Sequence, residues 1–118
     1  MAVDQSAQWV AVPDAIHLKE GESLGVRLDG TQRDVAFLIR LKGDLLAYRN
    51  SCPHIPGAPL AWRRHTYLNM DATRIVCSGH DAWFELEDGR CIKGPCKGEA
   101  LEPLAVKCSG DSDVFIKL

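Results

Sequence analysis

Four residues of this chain have the types and the spacing to hold a metal: Cys52, His54, Cys77 and His80. They fall into two pairs, Cys52-Pro53-His54 and Cys77-Ser78-Gly79-His80, with residues 55 to 76 between them. Each pair offers one thiolate and one imidazole, and one or two intervening residues let both side chains point at a common centre from one tight loop. Two such loops bring four donors together. Zinc would take the set as a closed tetrahedron that only holds the fold together. Iron would take it as a 2Fe-2S cluster, with the thiolates on one iron and the imidazoles on the other. The pairing alone leaves both open.

The surrounding residues narrow the choice. Gly57-Ala58-Pro59-Leu60 follows the first pair, and Ala82, Phe84, Leu86, Asp88-Gly89 and Gly94-Pro95 follow the second. On these motifs the stretch from Leu45 to Val106 resembles the Rieske family, with a weaker match in the N-terminal strands. The resemblance implies one 2Fe-2S cluster on Cys52, His54, Cys77 and His80. A zinc finger with this ligand order would be smaller and would carry its histidines on a helix. The subgroup resembled is the small soluble bacterial ferredoxin type. Respiratory-chain Rieske proteins have an extra cysteine in each ligand loop, forming a disulfide, where this chain has Ile55, Pro56, Gly57, Ser78 and Gly79. They also have a serine hydrogen-bonded to the cluster where this chain has Ala82. Mixed ligation leaves an oxidised cluster near zero net charge, so Rieske potentials lie higher than those of four-cysteine clusters, at about -150 to +300 mV. Fewer hydrogen bonds to sulfur place this chain near the lower end of that range.

Two departures stand out. The interval between the pairs is longer than the usual ferredoxin spacing, which implies a small insertion in Ala61 to Asp71. Asp81 stands where the family usually has Gly; Asp tolerates positive φ, and its charge would oppose an incoming electron. Cys91 and Cys96, in Asp88-Gly89-Arg90-Cys91-Ile92-Lys93-Gly94-Pro95-Cys96, extend the resemblance to a set of small bacterial Rieske proteins of unsettled role.

In function, the resemblance implies a single-electron carrier between a flavoprotein reductase and a terminal oxygenase. Its partners would be redox proteins, not nucleic acid or membrane. The alternatives are a Rieske-like small subunit of a reductase such as nitrite reductase, and a zinc-stabilised binding module. The sequence has no flavin motif, nucleotide loop or mononuclear-iron site of two histidines and a carboxylate, so it reads as a non-catalytic component of an oxidoreductase system.

The elements that must position the ligands read as strands. Trp9 to Val12, Leu24 to Leu28, Val35 to Leu41, Leu45 to Tyr48, Arg74 to Cys77, Ala82 to Leu86, Ala105 to Cys108 and Val114 to Leu118 are short apolar or alternating runs between turn signals. Lys42-Gly43-Asp44 and Asp88-Gly89 predict hairpins, and Ser109-Gly110-Asp111 joins the last two strands. Helical periodicity is weak. Asn50 to Met70 and Gly94 to Pro103 break the pattern with Pro and Gly, and loops of this kind on a β scaffold are where sites are placed. The expected architecture is all-β. The resemblance implies the Rieske fold, an antiparallel β-sandwich base with a small cluster-binding subdomain formed by two loops. One domain spans residues 1–118, with the subdomain near 49–97.

The remaining candidates have plainer readings. His17 lies in a polar stretch and reads as a surface residue. His65, beside Arg63 and Arg64, decorates the insertion. Cys91 and Cys96 form C-x4-C without a second pair and read as packed thiols, a disulfide being disfavoured by compartment. Cys108 alternates with Val106 as a core or edge-strand residue, and Trp9, Trp62 and Trp83 read as packing.

Composition sets the outer bounds. A length of 118 residues with 46% hydrophobic and 25% charged residues fits one compact domain, near the size where a bound metal adds usefully to stability. A net charge of -2 without a basic stripe argues against nucleic acid. Met1 to Val12 has no basic start followed by an apolar run, and no stretch reaches transmembrane length. Five cysteines without scaffold-like spacing fit a reducing compartment, so the expected location is the cytoplasm.

Overall fold

A computed structural model describes residues 9–28, 33–53, 55, 58–61, 65–79, 81–109 and 113–118. His54 and His80 lie outside the described residues, as do Pro56, Gly57, Trp62, Arg63, Arg64, Gly110 and Asp111.

The apolar runs become short strands. They are β1 (Trp9–Ala11), β2 (Ser23–Val26), β3 (Ala36–Leu41), β4 (Asp44–Arg49), β5 (Ile75–Cys77), β6 (Ala82–Phe84), β7 (Cys91–Lys93), β8 (Pro103–Leu104), β9 (Val106–Ser109) and β10 (Asp113–Lys117). Among the described residues a single 3-10 turn, Ala15–His17, interrupts them. The strands form three antiparallel sheets, ordered β1-β10-β9, β2-β3-β4-β8 and β5-β6-β7.

The β2-β3-β4-β8 sheet lies between two apolar clusters, which explains why Val35 to Leu41 reads as a continuous apolar run. Side chains alternate across a strand, so β3 sends Phe37 and Ile39 to one cluster and Ala36 and Leu38 to the other. Its partner β4 follows suit, with Tyr48 opposite Phe37 and Ala47 opposite Leu38. Phe37, Leu38 and Ile39 are essentially fully buried, each stabilising the fold by about 1.5–3 kcal/mol relative to exposure. The β3-β4 hairpin turns on Lys42 and Gly43 with φ of 53° and 87°, the geometry whose twist suits a two-residue hairpin loop.

On one side, Val114 and Ile116 of β10 pack with Val12, Leu38 and Ala47. On the other, Ile75, Cys77, Ala82 and Phe84 of β5 and β6 pack with Phe37, Ile39 and Tyr48. The architecture is the nearly all-β one expected. Two strands escaped the sequence reading. The first, β7, has only three residues, with a register irregularity opposite Trp83 and Phe84. The second, β8, begins on Pro103, tolerated because it lies at a sheet edge.

Candidate metal centre

The first cysteine loop leaves β4 at Arg49 and is closed by its own backbone. Cys52 N–H donates to Ala58 O (2.9 Å), Ile55 N–H to Cys52 O (3.1 Å) and Ala58 N–H to Ile55 O (2.9 Å). Pro53 occupies the second position of the turn bracketed by Cys52 and Ile55, where its fixed φ is favourable. Asn50 anchors the loop, because its Nδ2 donates to Asp34 O (2.9 Å) while its Oδ1 accepts from Leu60 N–H (2.8 Å).

The second loop is the connection between β5 and β6, closed where Cys77 pairs with Ala82. Ser78 N–H donates to Leu60 O at 2.8 Å, so one backbone bond ties the two loops together. Asp81 takes φ of 53°, the left-handed conformation expected of a residue standing in a glycine's place. Its carboxylate lies 3.7 Å from Lys93 Nζ, and that ammonium sits 4.5 Å above the Trp83 ring. The Asp81 charge therefore has a cationic neighbour that spacing alone did not reveal.

The structure brings Cys52 and Cys77 into one place. Both are fully buried in the cluster that holds Leu60, Ala82 and Phe84. Ile55, beside position 54, is 48% exposed, a large apolar side chain facing solvent at the rim of the first loop. Among the described residues no three His, Cys, Asp or Glu side chains form a metal-binding group.

The other histidines are elsewhere. His17 is exposed at the end of the 3-10 turn. His65, with φ of 68°, accepts from Gly25 N–H through Nδ1 (2.8 Å) and from Ser23 Oγ through its carbonyl (2.7 Å). It fastens the expected insertion to β2. The insertion is held again at Tyr67, which stacks on Phe37 at 4.2 Å and donates its hydroxyl to Asp34 Oδ2 at 2.8 Å. Asp34 is the only charged residue buried among the described residues, and Arg27 Nε lies 3.6 Å from its Oδ1. The bond from Val76 N–H to Tyr67 O (3.0 Å) carries that anchorage to β5. Asn50 and Asp34 are thus supporting residues that the sequence reading passed over. Their only signal was an Asn opening the Pro-rich segment and an Asp before an apolar run.

Cys91 and Cys96 are packed thiols, as expected, but they are also paired. Cys96 Sγ donates to Cys91 Sγ at 3.1 Å, and Cys91 Sγ donates to Lys93 O at 3.2 Å. Burial pushes the Cys96 thiol up to about 12, helped by its hydrogen bond to Cys91 and by the proximity of Cys91 and Cys52. Cys108 is exposed on β9, the edge strand of its sheet. Trp9 and Trp83 are half-buried, each with a lysine ammonium over its ring.

Solved structures share this fold. A chain in the complex of reduced oxygenase and oxidized ferredoxin in carbazole 1,9a-dioxygenase superposes with a TM-score of 0.68 at 21% identity, covering 93% of each chain. The ferredoxin of carbazole 1,9a-dioxygenase from Nocardioides aromaticivorans IC177 superposes with a TM-score of 0.66 at 21% identity, covering 93% of this chain and 97% of that one. The terminal oxygenase of the same system matches at 24% identity and a TM-score of 0.69, covering 94% of this chain and 30% of the oxygenase. Among curated protein sequences none matches. The Rieske [2Fe-2S] domain family matches residues 8–109, a span that takes in both cysteine loops and every strand but β10, and the chain belongs to that family.

Proposed function

We propose that the chain is a single-electron carrier of the ferredoxin type, with its cluster held by Cys52, His54, Cys77 and His80. One [2Fe-2S] cluster is the cofactor of this family. The donor chemistry fits it: two thiols enter one apolar cluster from two loops joined by the Ser78–Leu60 bond. Each is followed by a histidine two or three residues on. When bound, the group supplies a one-electron couple at mixed thiolate and imidazole ligation.

The chain's own residues do the rest. Leu60, Ala82 and Phe84 exclude water from the cysteine side, which favours metal-bound thiolate over exposed thiol. The backbone bonds of both loops and the Asn50 bridge hold the chain around Cys52 and Cys77, so little reorganisation accompanies a change of charge. The unit doing this is residues 49–97, set on the β-sandwich base within one domain of 118 residues. Ile55 supplies an apolar rim suited to a protein partner. We place that exchange between a reductase and a terminal oxygenase, in the cytoplasm. No helix among the described residues is long and apolar enough to cross a membrane.

The observation that carries the reading is the family match over both cysteine loops. Iron and acid-labile sulfide determination, with electron resonance of the reduced protein, tests it. Two irons and two sulfides per chain are expected, with the signal lost in His54→Ala and His80→Ala and kept in His17→Ala and His65→Ala. Zinc without labile sulfide would overturn the cluster, and loss of the signal in His65→Ala would overturn the ligand set. Electron delivery is tested by reconstitution with purified ring-hydroxylating oxygenase and reductase components; a cluster that no such pair reduces and reoxidises would remove the carrier role.

A further inference from the structure

We infer that Cys91 and Cys96 are a redox-active pair, a dithiol that closes to an intrachain disulfide and stiffens the 91–98 turn, which lies against the backbone of the second cysteine loop. The two sulfurs lie 3.1 Å apart. A disulfide needs them at about 2.05 Å, so closure asks for roughly 1 Å of approach. The ring is already folded. Cys91 N–H donates to Glu99 O (2.7 Å), Glu99 N–H to Cys96 O (2.9 Å) and Lys97 N–H to Gly94 O (3.2 Å). Two thiols held together in this way act on each other at high effective concentration, which favours the closed form over two mixed disulfides.

The ring's position gives closure a consequence. Gly94, at φ of 103°, lies so near the second loop that a Cβ there would meet Ala82 Cα at 2.8 Å and Asp81 O at 3.0 Å. The 91–98 turn is therefore a wall against which the Asp81-Ala82 backbone rests, and a covalent ring would stiffen that wall. Both thiols are buried, yet Lys93, Gly94, Pro95 and residues 97–100 are exposed. A single surface turn covers the pair, and local opening of that turn admits a reagent.

The oxidant is a small-molecule disulfide such as glutathione disulfide. One cysteine, as its thiolate, attacks the reagent, breaking its S–S bond, forming a mixed disulfide and releasing one reagent thiolate. The second cysteine gives up its proton and attacks the protein sulfur of the mixed disulfide, expelling the other reagent thiolate. One S–S bond is broken and one formed. The protein loses two electrons, and the two protons go to the two released thiols. No iron takes part, so the inference stands or falls apart from the ligand assignment.

Peptide mapping of the intact holoprotein tests it. Protein equilibrated anaerobically in glutathione buffers of graded ratio is acid-quenched, alkylated and digested with trypsin. Cleavage after Arg90, Lys93 and Lys97 separates Cys91-Ile92-Lys93 from Gly94-Pro95-Cys96-Lys97 unless a disulfide joins them. The joined peptides should rise with oxidised glutathione, vanish on return to reduced buffer and be absent in Cys91→Ser and Cys96→Ser, while the visible absorption of the protein is unchanged. Quantitative alkylation of both cysteines at the oxidising end, or glutathione capping without joining, would overturn the pair. Amide exchange over residues 94–99 should be several-fold slower in the joined form, and equal exchange in both forms would overturn the stiffening.

Discussion

The two apolar clusters on either face of the β2-β3-β4-β8 sheet are built from different residues. The base cluster is wholly aliphatic, with Val12, Val26, Leu38, Val114 and Ile116 among its members. The cysteine-side cluster combines Cys52, Cys77, Cys91 and Cys96 with Phe37, Tyr48, Tyr67 and Phe84. The first is enclosed by paired strands and closes on hydrophobic burial. The second is walled by three-residue strands and by loops, and polar links hold it: Asn50 to Leu60, Tyr67 to Asp34, Tyr48 to Leu86. Its strands of three residues lie at the short end of the range for globular proteins. The lesson is a division of labour, in which one face supplies stability and the other, on the proposed ligand set, is stabilised in part by the metal.

Removing the metal should break this comparison most visibly. Stripping iron with a chelator under anaerobic, reducing conditions removes binding free energy that, on the proposed ligand set, the cysteine side alone collects. Hydrogen exchange should then show β5, β6 and β7 losing most of their protection while β1, β9 and β10 keep theirs. Equal loss across all three sheets would mean that the two faces unfold as one unit. The converse change is Ile116→Ala, at a fully buried base position. It should cost about 2–5 kcal/mol. Because the base carries the fold, visible absorption and far-ultraviolet circular dichroism should be lost together, at a lower temperature than in the parent.

The base was more legible in the sequence than the cysteine side, and the reason is physical. Apolar runs and hairpin turns report period and local φ, so eight of the ten strands were readable from residues such as Val35 to Leu41 and Lys42-Gly43. The proposed donors Cys52 and Cys77 stood out because close spacing to a histidine is itself a chemical requirement of such a site, and the structure buries both in one cluster. What holds the donors in place depends on contacts between residues far apart in the chain. Asn50 reaches back to Asp34, His65 clasps β2 across forty residues, and Tyr67 meets Asp34 across thirty-three. Spacing carries no record of such meetings.

Tyr48 offers a smaller, pH-dependent test. Its hydroxyl donates to Leu86 O at 2.7 Å, and burial, with Asp88 and Glu87 adding to it, raises the phenol from 10.0 to about 12. A folded-state pKa raised above the unfolded value gives stability that is complete below the unfolded value and lost as pH climbs to the folded one. Unfolding free energy should therefore decline between pH 10 and about 12. In Tyr48→Phe the decline should be shallower, on top of a constant loss of about 1 kcal/mol for the hydrogen bond. Denaturant titrations at a series of alkaline pH values separate slope from offset; parallel slopes in the two proteins would remove Tyr48 as the titrating group.

The smallest expected effect lies where the two loops meet solvent, at Asp81. Its φ of 53° suits Asp and Asn alike, so Asp81→Asn changes charge with little change of shape. An unpaired carboxylate next to a proposed ligand opposes the arrival of an electron, and losing it should raise the midpoint potential. Here the opposition is blunted twice. Lys93 Nζ stands 3.7 Å away, and the Asp81 side chain is 77% exposed, so solvent and counterions screen it. The rise should be on the order of 10 mV rather than the larger shift of an unscreened charge. The pairing also makes a sharper claim than the single variant can. Lys93→Gln leaves Asp81 without its neighbour, so it should lower the potential, and more at low salt than at high. In that background Asp81→Asn should raise the potential by more than it does in the parent. Protein-film voltammetry of the four proteins closes the cycle. An Asp81→Asn shift of the same size with and without Lys93 would show that the lysine does not moderate the charge, and a downward shift would remove the electrostatic role of Asp81 altogether.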